Sequence, residues 1–199
     1  MPAVSEAKHF ILFIDDFTRM TWVYFLKVES HEETLKAFQV FKATAEKTSG
    51  HLICRFRCDN GRGEYHNRFF LEFLSVEGIS YKPAAPYMQN QNGVSEKKIR
   101  TIVEQARTML LEASLPERFW ADAVATAVYI LNRSPTKALT RKTAFEAWFG
   151  HRPNLAHLRR FGCNAYLHVP DAQRTKLKPK ARLCTFLGYV PNTTKQWRL

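Results

Sequence analysis

The sequence predicts an α/β domain over residues 1–150 and a small β module over residues 161–199, joined by a basic linker over residues 151–160. Three observations lead to this fold class. In the first part, short aromatic and β-branched runs alternate with segments of helical periodicity. Residues 99–110 keep one apolar face over several turns. After the linker, strand-like runs return, divided by a stretch rich in Lys, Arg and Pro. With 199 residues, 45% of them hydrophobic, the chain is long enough to bury a core.

A β-hairpin is predicted at the start of the chain. Residues 10–14 and 21–28 are aromatic and apolar runs, and the residues between them, Asp-Asp-Phe-Thr-Arg-Met, are typical of a turn. A capping box follows, because Ser30 has Glu33 three residues further on. A helix should therefore begin at this point and continue to Gly50.

Two strands and a short helix are predicted next. Residues 52–58 form a strand-like run that ends at Asp59. Asn67 can cap a short helix, which Gly78 closes. Residues 79–82 are strand-like, and prolines follow them.

The remaining elements are three helices and two strands. The helices cover residues 99–110, 116–132 and 143–149, and the second of them has a proline in its first turn. Residues 164–169 and 183–190 are the two strand-like runs of the C-terminal module.

The charge of the chain indicates a polyanionic partner. Lys and Arg number 30 against 18 Asp and Glu, a net charge of +12, with a pI of about 9.7. Residues 151–199 hold ten basic side chains and a single acidic one, Asp171, whereas residues 1–50 have a net charge of −1. One-sided clustering favours nucleic acid, although a solubilising surface and an acidic protein partner remain alternatives. The candidate nucleic-acid contacts in this part are Arg159, Arg160, Lys176, Lys178, Lys180 and Arg182.

Other classes of protein fit poorly. Nothing resembles a signal peptide, and no apolar run approaches the roughly 18 residues that span a bilayer. Four scattered cysteines make no disulfide framework, so we expect a reducing compartment, nuclear or cytoplasmic. A zinc site could be assembled from His151, His157, Cys163 and His168, but their spacing fits no standard finger and we do not predict one.

Two segments contain candidate metal ligands. Asp59 ends an apolar strand, at the edge where α/β sheets place their sites, and Glu96 lies in the first turn of the long helix. Lys97, Lys98 and Arg100 follow at once. Each carboxylate also has a structural interpretation, an Asx turn for Asp59 and a favourable helix-dipole charge for Glu96.

Taken together, these segments resemble the integrase catalytic core of copia-type LTR retrotransposon Pol polyproteins, which are DDE recombinases. The resemblance rests on DNGRGEY at residues 59–65 and on PYMQNQNGVSE at residues 86–96. Asp59 and Glu96 are separated by 36 residues, one more than is usual in that family. Further similar segments reach nearly to the end of the chain: ARTML, LPERFWA, YILNRSP, LRRFGC and FLGY.

The resemblance implies an RNase H-like fold followed by an SH3-like β module. It also implies that three carboxylates hold two Mg²⁺ or Mn²⁺ ions for polynucleotidyl transfer on DNA, with Asp59 as the second and Glu96 as the third. Lys97, Lys98 and Arg100 would lie where DNA phosphates pass, and residues 86–93 would form a mobile active-site loop. The implied partners are the DNA ends of the element, its target DNA and further copies of the chain, with no membrane.

The first carboxylate of this set is expected to be missing. In the family it lies on a central strand before the hairpin, and residues 1–9 hold neither an aspartate nor a strand pattern. We interpret Asp15 and Asp16 as turn residues, and we expect a core that lacks its first strand and is truncated at both ends. Three alternatives remain: a weak nuclease in which Asp15 or Asp16 replaces the ligand, a non-catalytic nucleic-acid-binding or assembly module, and a decayed reading frame.

Overall fold

The computed structural model describes residues 2–58, 67–83, 93–191 and 193–199. Strands and helices alternate up to the third helix, and four short strands end the chain. In chain order the elements are β1 (His9–Ile14), β2 (Thr21–Leu26), α1 (His31–Ser49), β3 (Arg55–Cys58), α2 (Arg68–Val76), β4 (Ser80–Pro83), α3 (Gly93–Glu112), α4 (Trp120–Arg133), α5 (Ala144–Phe149), β5 (Asn164–His168), β6 (Ala181–Thr185), β7 (Gly188–Tyr189) and β8 (Trp197–Arg198).

The predicted hairpin and first helix are both present. β1 and β2 pair antiparallel, from His9 opposite Leu26 at one end of the ladder to the turn at the other. The Ser30 side chain accepts a hydrogen bond from the Glu33 N–H at 3.2 Å and caps α1. The Glu33 carboxylate turns to the N–H of Lys27 at 2.8 Å rather than back to the cap, so only half of the capping box forms. The helix then ends at Gly50.

The hairpin lies between two helical layers, because its side chains alternate between its faces. Phe13 belongs to one core, where its ring stacks on Phe41 of α1 at 4.5 Å between centroids. Phe10 belongs to the other core, where its ring lies 6.2 Å from Trp120 of α4. The fold is therefore a sheet layer covered by α1 on one face and by α3 and α4 on the other.

The second sheet shares the α1 core but not the hairpin ladder. β3 and β4 pair in parallel, joined through α2. Phe38 of α1 bridges the two sheets, 5.6 Å from the ring of Phe13 and 4.9 Å from that of Phe56. In the described parts of the chain the two sheets stay separate, two strands each, and no strand joins them.

Several predicted boundaries differ from the structure, among them that of the long helix, expected over residues 99–110 and observed over Gly93–Glu112. The strand expected over residues 52–58 begins only at Arg55. The helix expected over residues 116–132 begins as a 3₁₀ turn, Glu117–Phe119, before α4. The strand expected over residues 183–190 is two strands, because its backbone changes partner: the Phe186 N–H donates to the Cys163 carbonyl next to β5, whereas the Leu187 N–H donates to the Arg198 carbonyl in β8, both at 2.9 Å.

The C-terminal module packs on α4. Thr126 Oγ1 donates to the Leu187 carbonyl oxygen at 3.4 Å, and Arg198 pairs with Asp122 at 2.9 Å. The β5–β6 hairpin of this module is largely exposed. No helix in the described ranges is both long enough and apolar enough to cross a membrane.

Candidate metal and nucleic-acid site

The two hairpin aspartates are bound within their own turn. Asp15 Oδ2 accepts hydrogen bonds from Thr18, at 2.7 Å from its N–H and 2.6 Å from its hydroxyl. Asp16 pairs with Arg19 at 2.5 Å, and Arg19 adopts a positive φ of 60°. This is the local chemistry that short polar side chains supply in turns. Both carboxylates therefore stabilise the turn, as the sequence indicated.

Glu96 lies at the exposed start of α3. It occupies the first turn, where the helix dipole favours a negative charge, and it forms no hydrogen bond or ion pair with any described residue. Arg100 is four residues further on and so shares its face of the helix, and Lys97 is also exposed. The start of α3 therefore presents one carboxylate beside two cations to solvent.

Lys98 points to a different environment. It is half-buried, and burial lowers its pKa, with the positive charge of Arg19 adding to the effect. The turn of the β1–β2 hairpin thus lies beside the first turns of α3. Lys98, predicted as a DNA contact, is the least accessible of the three cations in this segment.

The described residues do not complete a metal site. Asp59 and most of the predicted active-site loop, residues 86–92, lie outside the described residues. Within the described ranges, no three His, Cys, Asp or Glu side chains converge on a point where an ion could bind. Glu96 supplies the hard oxygen that Mg²⁺ prefers.

The predicted basic contacts of the C-terminal part are all exposed, and two are held in place. Arg159 Nη1 donates to the carbonyl oxygens of Ala156 at 3.1 Å and Leu158 at 2.7 Å. Arg160 lies 3.7 Å from Glu112 at the end of α3. The remaining four lie in the β5–β6 loop and on β6: Lys176, Lys178, Lys180 and Arg182.

An aromatic cluster that the sequence did not reveal fixes the segment between the two predicted domains. The rings of Tyr129 and Tyr189 stack at 4.2 Å, and Tyr129 Oη lies 2.6 Å from His157 Nε2. The Tyr189 hydroxyl donates to the Arg159 carbonyl and accepts from the Arg159 N–H, both at 2.9 Å. The available signal was one histidine and two tyrosines in separate segments, too weak to pair residues this far apart.

The C-terminal end of the chain matches a known family model. Residues 163–199 match the retroviral polymerase SH3-like domain. Over 92% of its length the chain is 44% identical to the retrovirus-related Pol polyprotein from transposon TNT 1-94 of Nicotiana tabacum. It spans only 14% of that polyprotein.

Two solved structures with a similar fold are of integrases. The HTLV-2 integrase catalytic core domain, solved in complex with magnesium in a trimeric form, aligns with a TM-score of 0.53 and 22% identity over 69% of this chain and 82% of that one. The simian T-cell lymphotropic virus intasome, solved with the PP2A regulatory subunit B56 gamma, aligns with a TM-score of 0.57 and 15% identity. That alignment covers 95% of this chain and 68% of the other.

Proposed function

Because the chain belongs to the family of copia-type retrotransposon Pol polyproteins and matches their integrase-like segment, we propose that it binds DNA and carries part of a DNA-integration site. The observation that carries this proposal is the start of α3. There Glu96 is exposed with its carboxylate unengaged by described residues, and Lys97 and Arg100 flank it. A carboxylate can hold a divalent metal ion and nearby cations can bind phosphate, and both are parts of metal-assisted phosphoryl transfer.

The proposed metal ligands are Asp59 and Glu96. Both are hard oxygen donors, suited to Mg²⁺ or Mn²⁺, and the related HTLV-2 core was solved with magnesium. A bound divalent ion would lower the pKa of a water or hydroxyl nucleophile and neutralise charge on the phosphate. Lys97 and Arg100 would hold the phosphate backbone, since exposed cations supply the sequence-independent part of DNA affinity.

A strand-transfer and nicking assay with Mn²⁺ on supercoiled plasmid tests the proposal. We expect Asp59→Asn and Glu96→Gln to abolish any activity of the wild-type chain and to leave salt-sensitive DNA binding intact. Asp15→Asn and Asp16→Asn serve as matched carboxylate controls, because both side chains are bound within the hairpin turn. Loss of activity in a hairpin variant alone would overturn the assignment of the ligands.

One observation favours a second candidate, a non-catalytic nucleic-acid-binding or assembly module. The Asp15 carboxylate is occupied by Thr18, and Glu96 belongs to no group of three or more possible metal ligands among the described residues. Such a module would bind DNA through its basic surface without any metal. Wild-type DNA binding that is unchanged by EDTA, together with no nicking at any Mn²⁺ concentration, would favour it. The relative solved as a trimer makes self-association a further proposal, measurable by light scattering.

A further inference from the structure

A second concave site lies between the end of α4, helix α5 and the segment that follows α5. Its volume is about 270 Å³. Three arginines line it: Arg133 from α4, Arg141 from the α4–α5 connection and Arg152 from beyond α5. One carboxylate, Glu146, faces them. None of the three arginines is among the candidate nucleic-acid contacts named from the sequence, although Arg152 lies in the basic linker.

Arg133 forms a preorganised cationic floor for this cavity. Its guanidinium carbon lies 3.4 Å from the centre of the Tyr129 ring and 4.8 Å from that of Phe145. Its Nη1 donates to the Tyr129 carbonyl oxygen at 3.2 Å. The ring stacking and this hydrogen bond fix the plane of the guanidinium, so little side-chain entropy remains to be lost on binding a ligand.

The charge of Arg133 is not compensated within the described residues. It has no ion pair there, and its Nε is buried without a hydrogen-bond partner in those ranges. A partly buried cation without a counter-charge is unfavourable, and an anion in the cavity would relieve this. Glu146 does not fill the role, because its carboxylate interacts with Arg152 at 3.9 Å.

The two outer arginines lie at the mouth of the cavity. Arg141 and Arg152 are exposed, and Arg141 has a positive φ of 70°. With Glu146 included, the lining has a net charge of +2. Guanidinium groups suit phosphate because their planar donors match its oxygens in pairs.

The end of α4, which carries Arg133, is tied to the β1–β2 hairpin. Asn132, next to Arg133, bonds Thr21 at the start of β2. Thr21 follows the hairpin turn, whose Arg19 lies beside Lys98 of α3. The helix end that carries Arg133 and the start of α3, which carries Lys97 and Arg100, are thus both connected to the hairpin turn.

We propose that the cavity lined by Arg133, Arg141 and Arg152 binds a phosphate group of a nucleic-acid strand, as an anchor separate from the carboxylate site. The proposal rests on the proposed function insofar as its ligand is nucleic acid. The net charge of +12 over the whole chain favours a polyanion over a small anion as the ligand. Arg133, whose guanidinium is held in place, would bind the phosphate in a fixed geometry. The exposed side chains of Arg141 and Arg152 would move to complete the binding.

Fluorescence anisotropy with a fluorescein-labelled single-stranded oligonucleotide over a salt series tests this anchor. We expect the R141A/R152A double variant to weaken binding about tenfold or more at low salt. The slope of log K against log salt should fall by about 0.7 for every phosphate group that the variant no longer binds. The matched control is Lys142→Ala, which removes an exposed cation beside Arg141 that does not line the cavity. Glu146→Gln should strengthen binding, because it removes the opposing charge.

Each outcome decides between the proposals. A double variant that binds like Lys142→Ala, while the wild type still binds, overturns the anchor and leaves the proposed function standing. A wild type that does not bind at all overturns both. An acidic peptide is tested as a competitor. If the peptide binds only when Arg141 and Arg152 are present, but does not displace the oligonucleotide, the cavity is assigned to a protein partner instead. A shift of the Arg133 Nε–H resonance on adding the oligonucleotide, absent in R141A/R152A, would support the anchor directly.

Discussion

The side-chain amide of Asn132 holds the backbone of Thr21 at the outer edge of β2. Its Nδ2 donates to the Thr21 carbonyl oxygen at 2.7 Å, and its Oδ1 accepts from the Thr21 N–H at 3.0 Å. Both residues are buried. The amide satisfies two backbone groups that water cannot reach, as a neighbouring strand would, and it ties helix α4 to the hairpin.

Replacing Asn132 with Leu should destabilise the fold strongly. The change leaves both backbone groups of Thr21 buried and unpaired, at a cost of about 1–3 kcal/mol for each. We expect the free energy of unfolding, measured by urea denaturation with tryptophan fluorescence, to fall by about 3 kcal/mol. The control is Asn154→Leu, because Asn154 Oδ1 accepts from Ala156 N–H at 2.9 Å on an exposed surface, where water can replace it. Equal losses in the two variants would contradict the structural role.

Gly162 and Gly150 allow backbone strain to be separated from steric clash. Their φ values are nearly equal, 78° and 76°, but a Cβ on Gly162 would lie 2.2 Å from the Cβ of Ala113, whereas one on Gly150 meets open space. Gly150→Ala should cost about 1–2 kcal/mol in unfolding free energy, from the left-handed backbone alone. Gly162→Ala should cost about 1–3 kcal/mol more. Adding Ala113→Gly to Gly162→Ala should recover part of that additional loss of unfolding free energy. If nothing is recovered, the clash is not with the Ala113 side chain.

Stability should fall as the pH is lowered because of His157. Its pKa is lowered, first because burial disfavours the imidazolium and then because Arg133 and Arg159 place positive charge nearby. The unfolded chain therefore takes up a proton at higher pH than the folded chain. The free energy of unfolding must then fall as the pH drops below about 6.5, the ordinary histidine value. Tyr129 Oη and His157 Nε2 share a hydrogen bond of 2.6 Å, which the neutral ring can make in either tautomer.

Urea midpoints between pH 7.5 and pH 5.5 measure this dependence, with both pH values chosen to lie about one unit either side of the ordinary histidine pKa. We expect His157→Gln to lower the midpoint at the upper pH and to flatten its decline toward the lower pH. The exposed His151, changed to Gln, is the matched control and should leave the decline as it is in the wild type. An identical decline in wild type and His157→Gln would assign the pH dependence to other groups.

Local sequence signals predicted an element of this fold correctly where several such signals occur in the same segment. Ser30 caps α1 and Gly50 ends it in the left-handed conformation, as the residue types indicate. The long helix α3 follows from the apolar spacing within residues 99–110, although its start, at Gly93, was not fixed by that spacing. The residue types within one or two helical turns are enough for such predictions, because capping and helical spacing involve residues only a few positions apart.

The functional geometry depended on contacts that no short stretch encodes. Lys97 and Lys98 are adjacent in the sequence, but only the approach of the hairpin turn decides that Lys98 is the half-buried one. Arg133 likewise is an ordinary helix-ending cation until Tyr129 and Phe145 are known to lie against it. Helical periodicity predicts the direction in which a side chain leaves its helix, but it does not predict which residues of other elements pack against that side chain.

The free edge of β1 should be visible in hydrogen exchange. In the antiparallel ladder, Ile11 and Phe13 direct their backbone groups toward β2, whereas Leu12 and Ile14 direct theirs away from it. No described residue pairs with those outward groups. We expect the amides of Leu12 and Ile14 to exchange faster than those of Ile11 and Phe13 under native conditions. Equal protection along β1 would mean that another strand covers this edge.

Lys97 and Lys98 provide a matched pair for testing the DNA-binding face, because the two substitutions remove the same charge from adjacent positions. Lys97 is exposed, whereas Lys98 is half-buried beside Arg19. Lys97→Ala should weaken binding of a duplex oligonucleotide and lower the slope of log K against log salt by about 0.9, the value for one phosphate contact on duplex DNA. Lys98→Ala should change that slope less, and its main effect should be on the urea midpoint. Anisotropy titrations at several salt concentrations measure both slopes. A larger decrease in slope for Lys98→Ala would show that DNA passes over the hairpin turn rather than over the exposed side of α3.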